Sequence, residues 1–162
     1  MLRLFKKKKH KDTDVKDFYV SAGSIVYHRQ LVEHNLRYII YLDVKLEQQS
    51  RSLNKNEQSA TSLLNQLRKE NINVVFEKLI IFNIFCRDDV QYVKSLIGKI
   101  DDVTSYYFQD SLDERKVENP QEFKRMVREL QELESDIITI HKENMRIIEE
   151  YKTKLDLSAK PA

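Results

Sequence analysis

Turn residues are almost missing from this chain of 162 residues, which has two glycines, two prolines and no tryptophan. A β-sandwich or barrel needs a turn every few positions, so the shortage excludes such folds and points to long helices. The two glycines, Gly23 and Gly98, stand 75 positions apart. No GxGxxG or Walker-type phosphate loop can be assembled from them, and no HExxH occurs either. Cysteine is reduced to Cys86, which rules out an intramolecular disulfide or a CxxC metal site. Because Cys86 ends an apolar run, its thiol is expected to be a small buried hydrophobe in a reducing interior.

Long hydrophobic runs are also lacking. The densest stretch, residues 72–86 (INVVFEKLIIFNIFC), has eleven apolar residues among fifteen, with Glu77 and Lys78 in its middle. It falls short of the about 20 apolar residues that cross a bilayer, so it reads as a buried segment, the central stave of a bundle. The apolar stretch LRLF at the N-terminus is too short for a signal-peptide core and precedes its lysines instead of following them, so secretion is not expected. A cytoplasmic protein is.

What the chain has in quantity is charge, 33% of residues, arranged unevenly. Arg3, Lys6, Lys7, Lys8, Lys9 and Lys11 place six positive charges in the first eleven residues. The remainder then holds 22 basic against 26 acidic residues, an acidic body behind a basic head.

Behind the head, Asp14 and Asp17 suit the start of a first helix. Phe18, Ile25, Val32, Ile39, Leu46 and Leu53 then recur every seven residues, flanked by Val15, Ala22 and Leu36 on one side and Tyr19, Val26 and Ile40 on the other. That is a sustained core stripe. The small residues 21–24 permit a kink or a close helix approach at Gly23. Asn54 with Glu57 has capping-box spacing and opens a second helix that runs through residues 72–86. The β-branched residues of that stretch also allow a strand pair, against which no NG or DG turn is present. Asp88 with Gln91 repeats the cap spacing and begins a third helix with Val90, Val93, Ile97, Ile100, Val103 and Tyr107 as its stripe. Residues 113–118, charged and aperiodic, read as a surface loop. Asn119, Pro120 and Glu122 form a strong start signal for a fourth helix. Its seam alternates Phe123, Leu130, Ile137, Asn144 and Tyr151 with Met126, Leu133, Ile140 and Ile147, and is too broad for a two-stranded coiled coil.

The expected fold is all-α: an elongated antiparallel bundle of about four amphipathic helices, up-down-up-down, with helices one and four long. Residues 1–12 form a basic flexible head, 13–157 the bundle, and 158–162 a frayed tail. About 40 residues in the first helix make a rod of roughly 60 Å.

No catalytic constellation emerges. The adjacent carboxylates Asp88 and Asp89, Asp101 and Asp102, and Glu149 and Glu150 point about 100° apart on a helix and make poor acid–base pairs. His28 and His34 face about 120° apart and lack the Glu-x-x-His pattern of carboxylate-bridged metal sites, so neither metal nor cofactor is expected. Function is left to three features. In the head, Leu2, Leu4 and Phe5 can insert into a membrane while Arg3, Lys6, Lys7, Lys8, Lys9 and Lys11 contact anionic lipid. The same charges can bind nucleic acid nonspecifically, or serve only as a solubilising tail. Tyr27, Tyr38 and Tyr41, with Tyr106 and Tyr107, lie off the stripes and are candidates for a partner-binding face or for amphipathic core margins. Asn144, alone on an apolar seam, can set register and partner choice or be satisfied by a buried water. Together these suggest a non-enzymatic helical-bundle interaction protein, an adaptor or assembly component, held near a membrane by its N-terminus. A nucleic-acid-associated regulator is the alternative, and self-association through the last helix is also open.

Overall fold

The computed structural model describes residues 2–50, 57–109 and 120–158. Five helices and no strand occur among them: α1 (Leu2–Ser50), α2 (Glu57–Lys69), α3 (Ile72–Ile81), α4 (Arg87–Gln109) and α5 (Pro120–Ser158). The all-α class and the long first and last helices stand as expected. The strand pair in residues 72–86 does not form.

Helix α1 begins at Leu2, so Asp14 does not cap it. Lysine and leucine are good helix formers, and nothing between Leu2 and Asp14 stops a helix, so the backbone of the basic head continues the rod. The helix also passes through Gly23 without a break. Gly23 is exposed, and a Cβ placed there would meet nothing within 4 Å, so no neighbouring helix among the described residues crowds it.

The segment expected as one second helix is two. After Lys69 the chain turns, and Asn71 caps a fresh helix, its side-chain oxygen accepting the Asn73 N–H at 2.9 Å. The Lys78 ammonium donates to both carboxylate oxygens of Glu70, at 2.6 and 2.7 Å, and fastens α3 to that turn. Restarting the helix resets its phase, so only one face of α3 is buried, through Val75, Phe76 and Leu79. Val74 and Ile81, inside the stretch expected to be buried, are exposed, Ile81 to 74%.

Helix α3 ends in a Schellman arrangement. Asn83 adopts φ 56°, Ile84 N–H donates to Leu79 O at 3.0 Å and Asn83 N–H to Ile80 O at 3.0 Å. Residues 72–86 are therefore a short helix and a turn, not a continuous stave. The turn delivers Cys86 to the N-cap position of α4, where its Sγ accepts the Asp89 N–H at 3.4 Å and its thiol donates to Asp89 Oδ2 at 3.0 Å. Cys86 is thus exposed, contrary to the expected buried thiol, and Asp88 lies within the first turn of α4 instead of capping it. Pro120 opens α5, the position its fixed φ suits. Asn54, Leu53, Asn119 and the loop expected at residues 113–118 lie outside the described residues.

Two compact units divide the chain: Met1–Arg29 with Ser95–Ile138, and Gln30–Lys94 with Thr139–Ala162. Helices α1, α4 and α5 contribute to both. In the first unit Phe18, Ile25, Ile100, Leu130 and Ile137 are fully buried. The Phe18 and Phe123 rings pack at 5.8 Å between centroids. Arg29 joins α1 to α4 there, its Nη2 donating to Asp101 Oδ2 at 3.0 Å and its Nε lying 2.8 Å from Oδ1. In the second unit Val32, Ile39, Ile40, Leu67, Val75 and Leu79 are buried. The seams read from the sequence of α1 and α5 are the ones that supply both cores.

Candidate functional site

Within the second unit, α1, α3, α4 and α5 leave a cavity of about 270 Å³ among their side chains. Its floor is apolar: Leu36 from α1, Phe76 and Leu79 from α3, and Val90 from α4 are all buried. Three lining residues are exposed and mark the mouth, namely Asp89 and Tyr92 of α4 and Glu143 of α5. Helical spacing explains how α5 serves both levels: Ile140, Glu143, Asn144 and Ile147 lie three and four residues apart, on adjoining rows of one face.

Asn144 is the one uncharged polar side chain on that floor. It is 4% exposed, and its Nδ2 has no hydrogen-bond partner among the described residues. Its place in the seam with Leu130 and Ile137 predicts this burial. An amide donor buried without an acceptor costs about 1–3 kcal/mol, so the position is strained unless something accepts from it. Asn35 of α1 is likewise buried with an unpartnered Nδ2. Sequence reading passed over it, although it stands three residues after Val32 and four before Ile39, within the buried stripe.

Around the cavity the charges are organised. At its mouth Glu143 is held below its usual carboxylate range, first by the hydrogen bond from Arg146 and then by the charge of that guanidinium. Arg146 is raised in return, and it also pairs with Glu150. Farther along α5, Tyr151 donates to Asp43 Oδ1 at 2.8 Å. Its phenol is pushed well above its ordinary value, first by burial and then by this bond, since ionisation would set two anions side by side.

The sequence-derived candidates fall into distinct places. Tyr27 and Tyr106 are exposed, at 58% and 54%. Tyr38 and Tyr41 are half-buried, stacked at 5.6 Å, and pack on the core cluster of Ile39, Leu42 and Ile148. Their surroundings are those of a core margin. The side chains of Tyr107 and of Leu2, Arg3, Leu4, Phe5, Lys6, Lys7, Lys8, Lys9 and Lys11 lie outside the described residues.

A further organising residue, Arg37, was not anticipated. Its Nε donates to Leu67 O at 2.9 Å, its Nη2 to Glu70 O at 3.1 Å and its Nη1 to Glu33 O at 2.9 Å. The guanidinium thereby closes the carbonyl end of α2, where a positive charge is also favoured by the helix dipole.

Among the described residues, no cluster of three or more His, Cys, Asp or Glu side chains could hold a metal ion, and no helix is long and apolar enough to cross a membrane. No protein family, curated protein or solved structure matches this chain.

Proposed function

We propose that this chain is a non-enzymatic interaction module, an adaptor or assembly component, that presents the outer face of α1 to a partner helix. One observation carries the reading. Val20 and Tyr27 are 59% and 58% exposed on that face, with exposed Gly23 between them at i, i+3, i+7 spacing and exposed Tyr19 alongside. An apolar strip with open space over a glycine lets another backbone approach closely. Tyrosine combines apolar area with a polar tip, which is why interfaces favour it.

The fold that accompanies this reading is a bundle of antiparallel neighbours. Arg37 supports it: α2 leaves α1 after Ser50, and its end at Leu67 and Glu70 is held thirteen residues back along α1. In the same reading the basic head keeps the protein at the inner, anionic face of a membrane in the cytoplasm. Its six positive charges and the residues Leu2, Leu4 and Phe5 support that part.

Affinity purification tests the interface. Proteins retained by the wild-type chain are expected to be lost when Val20 and Tyr27 are both changed to Asp, and kept when Tyr92, exposed in the second unit, is changed to Asp. Identical retention by all three chains would remove the α1 face from consideration.

A further inference from the structure

We infer that the cavity of the second unit is a binding site for a small, neutral, largely apolar molecule carrying one hydrogen-bond acceptor oxygen, and that Asn144 is the residue that reads that oxygen. The site is independent of the α1 face proposed above for a protein partner.

Size comes first. A volume of about 270 Å³ lies just under the range of drug-sized pockets, and is well above the roughly 150 Å³ in which an engineered cavity of another protein takes up benzene. An occupant of about ten non-hydrogen atoms fits it.

Polarity follows from the floor. Leu36, Phe76, Leu79 and Val90 offer no hydrogen bond through their side chains, whereas Asn144 supplies an amide nitrogen, Nδ2, that nothing else among the described residues engages. A buried water needs two to four polar partners, and among the side chains of the floor only Asn144 offers one. A ligand that covers the apolar walls and offers a single carbonyl oxygen satisfies both demands at once. Filling the space removes apolar surface from water, and accepting from Nδ2 ends the cost of an unpaired donor.

Charge at the mouth sets the third requirement. Asp89 and Glu143 both reach the cavity from its exposed mouth, and an anionic ligand entering between them would meet two carboxylates, a repulsion that water weakens without removing. Glu143 is partly balanced by Arg146, whereas Asp89 is bonded by the Cys86 thiol. Fatty acids and organic phosphates are therefore disfavoured, while ketones, esters and amides of matching size are admitted. Exposed Tyr92 at the mouth supplies a ring against which an aromatic or alkyl ligand can lie.

The test uses three probes of nearly equal size: acetophenone, which has the acceptor; isopropylbenzene, which has the shape without it; and benzoate, which carries the charge. Titration of methyl-labelled full-length protein by NMR reads shifts at Leu79, Val90 and Ile147. Acetophenone is expected to bind with a dissociation constant of about a millimolar or tighter. Isopropylbenzene should bind about 3- to 10-fold more weakly, the worth of one net hydrogen bond, and benzoate should not shift these methyls in the same concentration range. Asn144→Leu, which keeps the shape and removes the unpaired donor, is expected to erase the preference for acetophenone while retaining isopropylbenzene. Equal binding of the two neutral probes by the wild-type chain, or a preference that survives Asn144→Leu, would overturn the role of Asn144. Benzoate binding as tightly as acetophenone overturns the role of the mouth carboxylates, and the absence of methyl shifts with all three probes overturns the site. The comparison among probes needs only the wild-type chain, so it stands whether or not the variant folds.

Discussion

Tyr151 of α5 donates its phenolic hydrogen to Asp43 of α1 at 2.8 Å, tying together residues 108 positions apart in the chain. A half-buried phenol that bonds a carboxylate must keep its proton, and burial together with Asp43 holds its ionisation above the ordinary value. The sign follows by linkage. The unfolded chain loses this proton near pH 10 while the folded chain retains it, so the bond's contribution is complete below pH 10 and declines as pH rises beyond it. Tyr151→Phe is expected to cost about 1–2 kcal/mol at neutral pH, measured by urea denaturation. The gap between wild type and variant should narrow above pH 10. A gap that widens there would show that Asp43 does not hold the phenol protonated.

Arg37 concentrates three main-chain carbonyls on one guanidinium, those of Glu33 in α1, Leu67 in α2 and Glu70 in the turn after α2. Arg37→Met keeps much of the stem but leaves the end of α2 without its donor. It is expected to cost about 1.5–3 kcal/mol, the range for hydrogen bonds to charged groups. Arg37→Lys should recover little, because one ammonium cannot span the fork of oxygens that a planar guanidinium reaches. Amide exchange resolves the effect locally: the last turn of α2 should exchange faster in both variants. Exchange there that matches wild type would mean that the clamp is not what holds α2.

The long helices are legible in the sequence because periodicity is a local property. Phe18, Ile25, Val32 and Ile39 in α1, and Phe123, Leu130 and Ile137 in α5, repeat at seven and are the residues found buried. Asn144 was legible for the same reason, since its place in the seam predicts burial. The break at Asn71 was harder, because a cap made of one Asn inside an apolar run resets the helical phase without any glycine, proline or acidic first turn. The stop at Asn83 was equally quiet: asparagine takes the left-handed position that glycine usually marks. Those two turns account for the extra helix, the exposed Ile81 and the exposed Cys86. Arg37 was illegible because its acceptors Leu67 and Glu70 lie 30 and 33 residues away, and nothing local distinguishes it from other surface arginines. The cavity belongs to the same class. It exists where Leu36, Phe76, Val90 and Ile147 from four helices fail to fill a volume between them, and no one-dimensional pattern records a shortfall of packing.

For the basic head, attachment to a surface is expected to be electrostatic and therefore salt-dependent. Each lysine or arginine near an anionic leaflet contributes about 1 kcal/mol, and the head carries six. The full chain should sediment with phosphatidylserine-rich vesicles at low salt, release as ionic strength rises, and leave pure phosphatidylcholine vesicles unbound. A chain shortened to begin at Asp12 should lose binding and keep its helical circular dichroism. Equal sedimentation of the two chains would dismiss the membrane role, and salt-sensitive binding of DNA or RNA in place of vesicles would favour the nucleic-acid reading instead.

Gly23 and Gly98 both sit inside helices where an added Cβ meets nothing within 4 Å. Neither is required by a left-handed backbone, so each carries the entropic penalty of glycine without a compensating contact in the chain. Gly23→Ala and Gly98→Ala should each stabilise by about 0.5–1 kcal/mol, and together raise the midpoint of thermal unfolding by roughly 2–8 °C. The two positions then part in function. Gly98 belongs to α4 and is not part of the α1 strip, so Gly98→Ala should leave partner retention unchanged. Gly23 lies within the strip, and a methyl group there would hold an approaching backbone away, so Gly23→Ala should yield a more stable protein that retains its partner less well. A Gly23→Ala chain that is both stabilised and fully competent in retention would mean that the open space over Gly23 serves no partner, and would return the exposed Val20 and Tyr27 to the ordinary apolar surface of a helix.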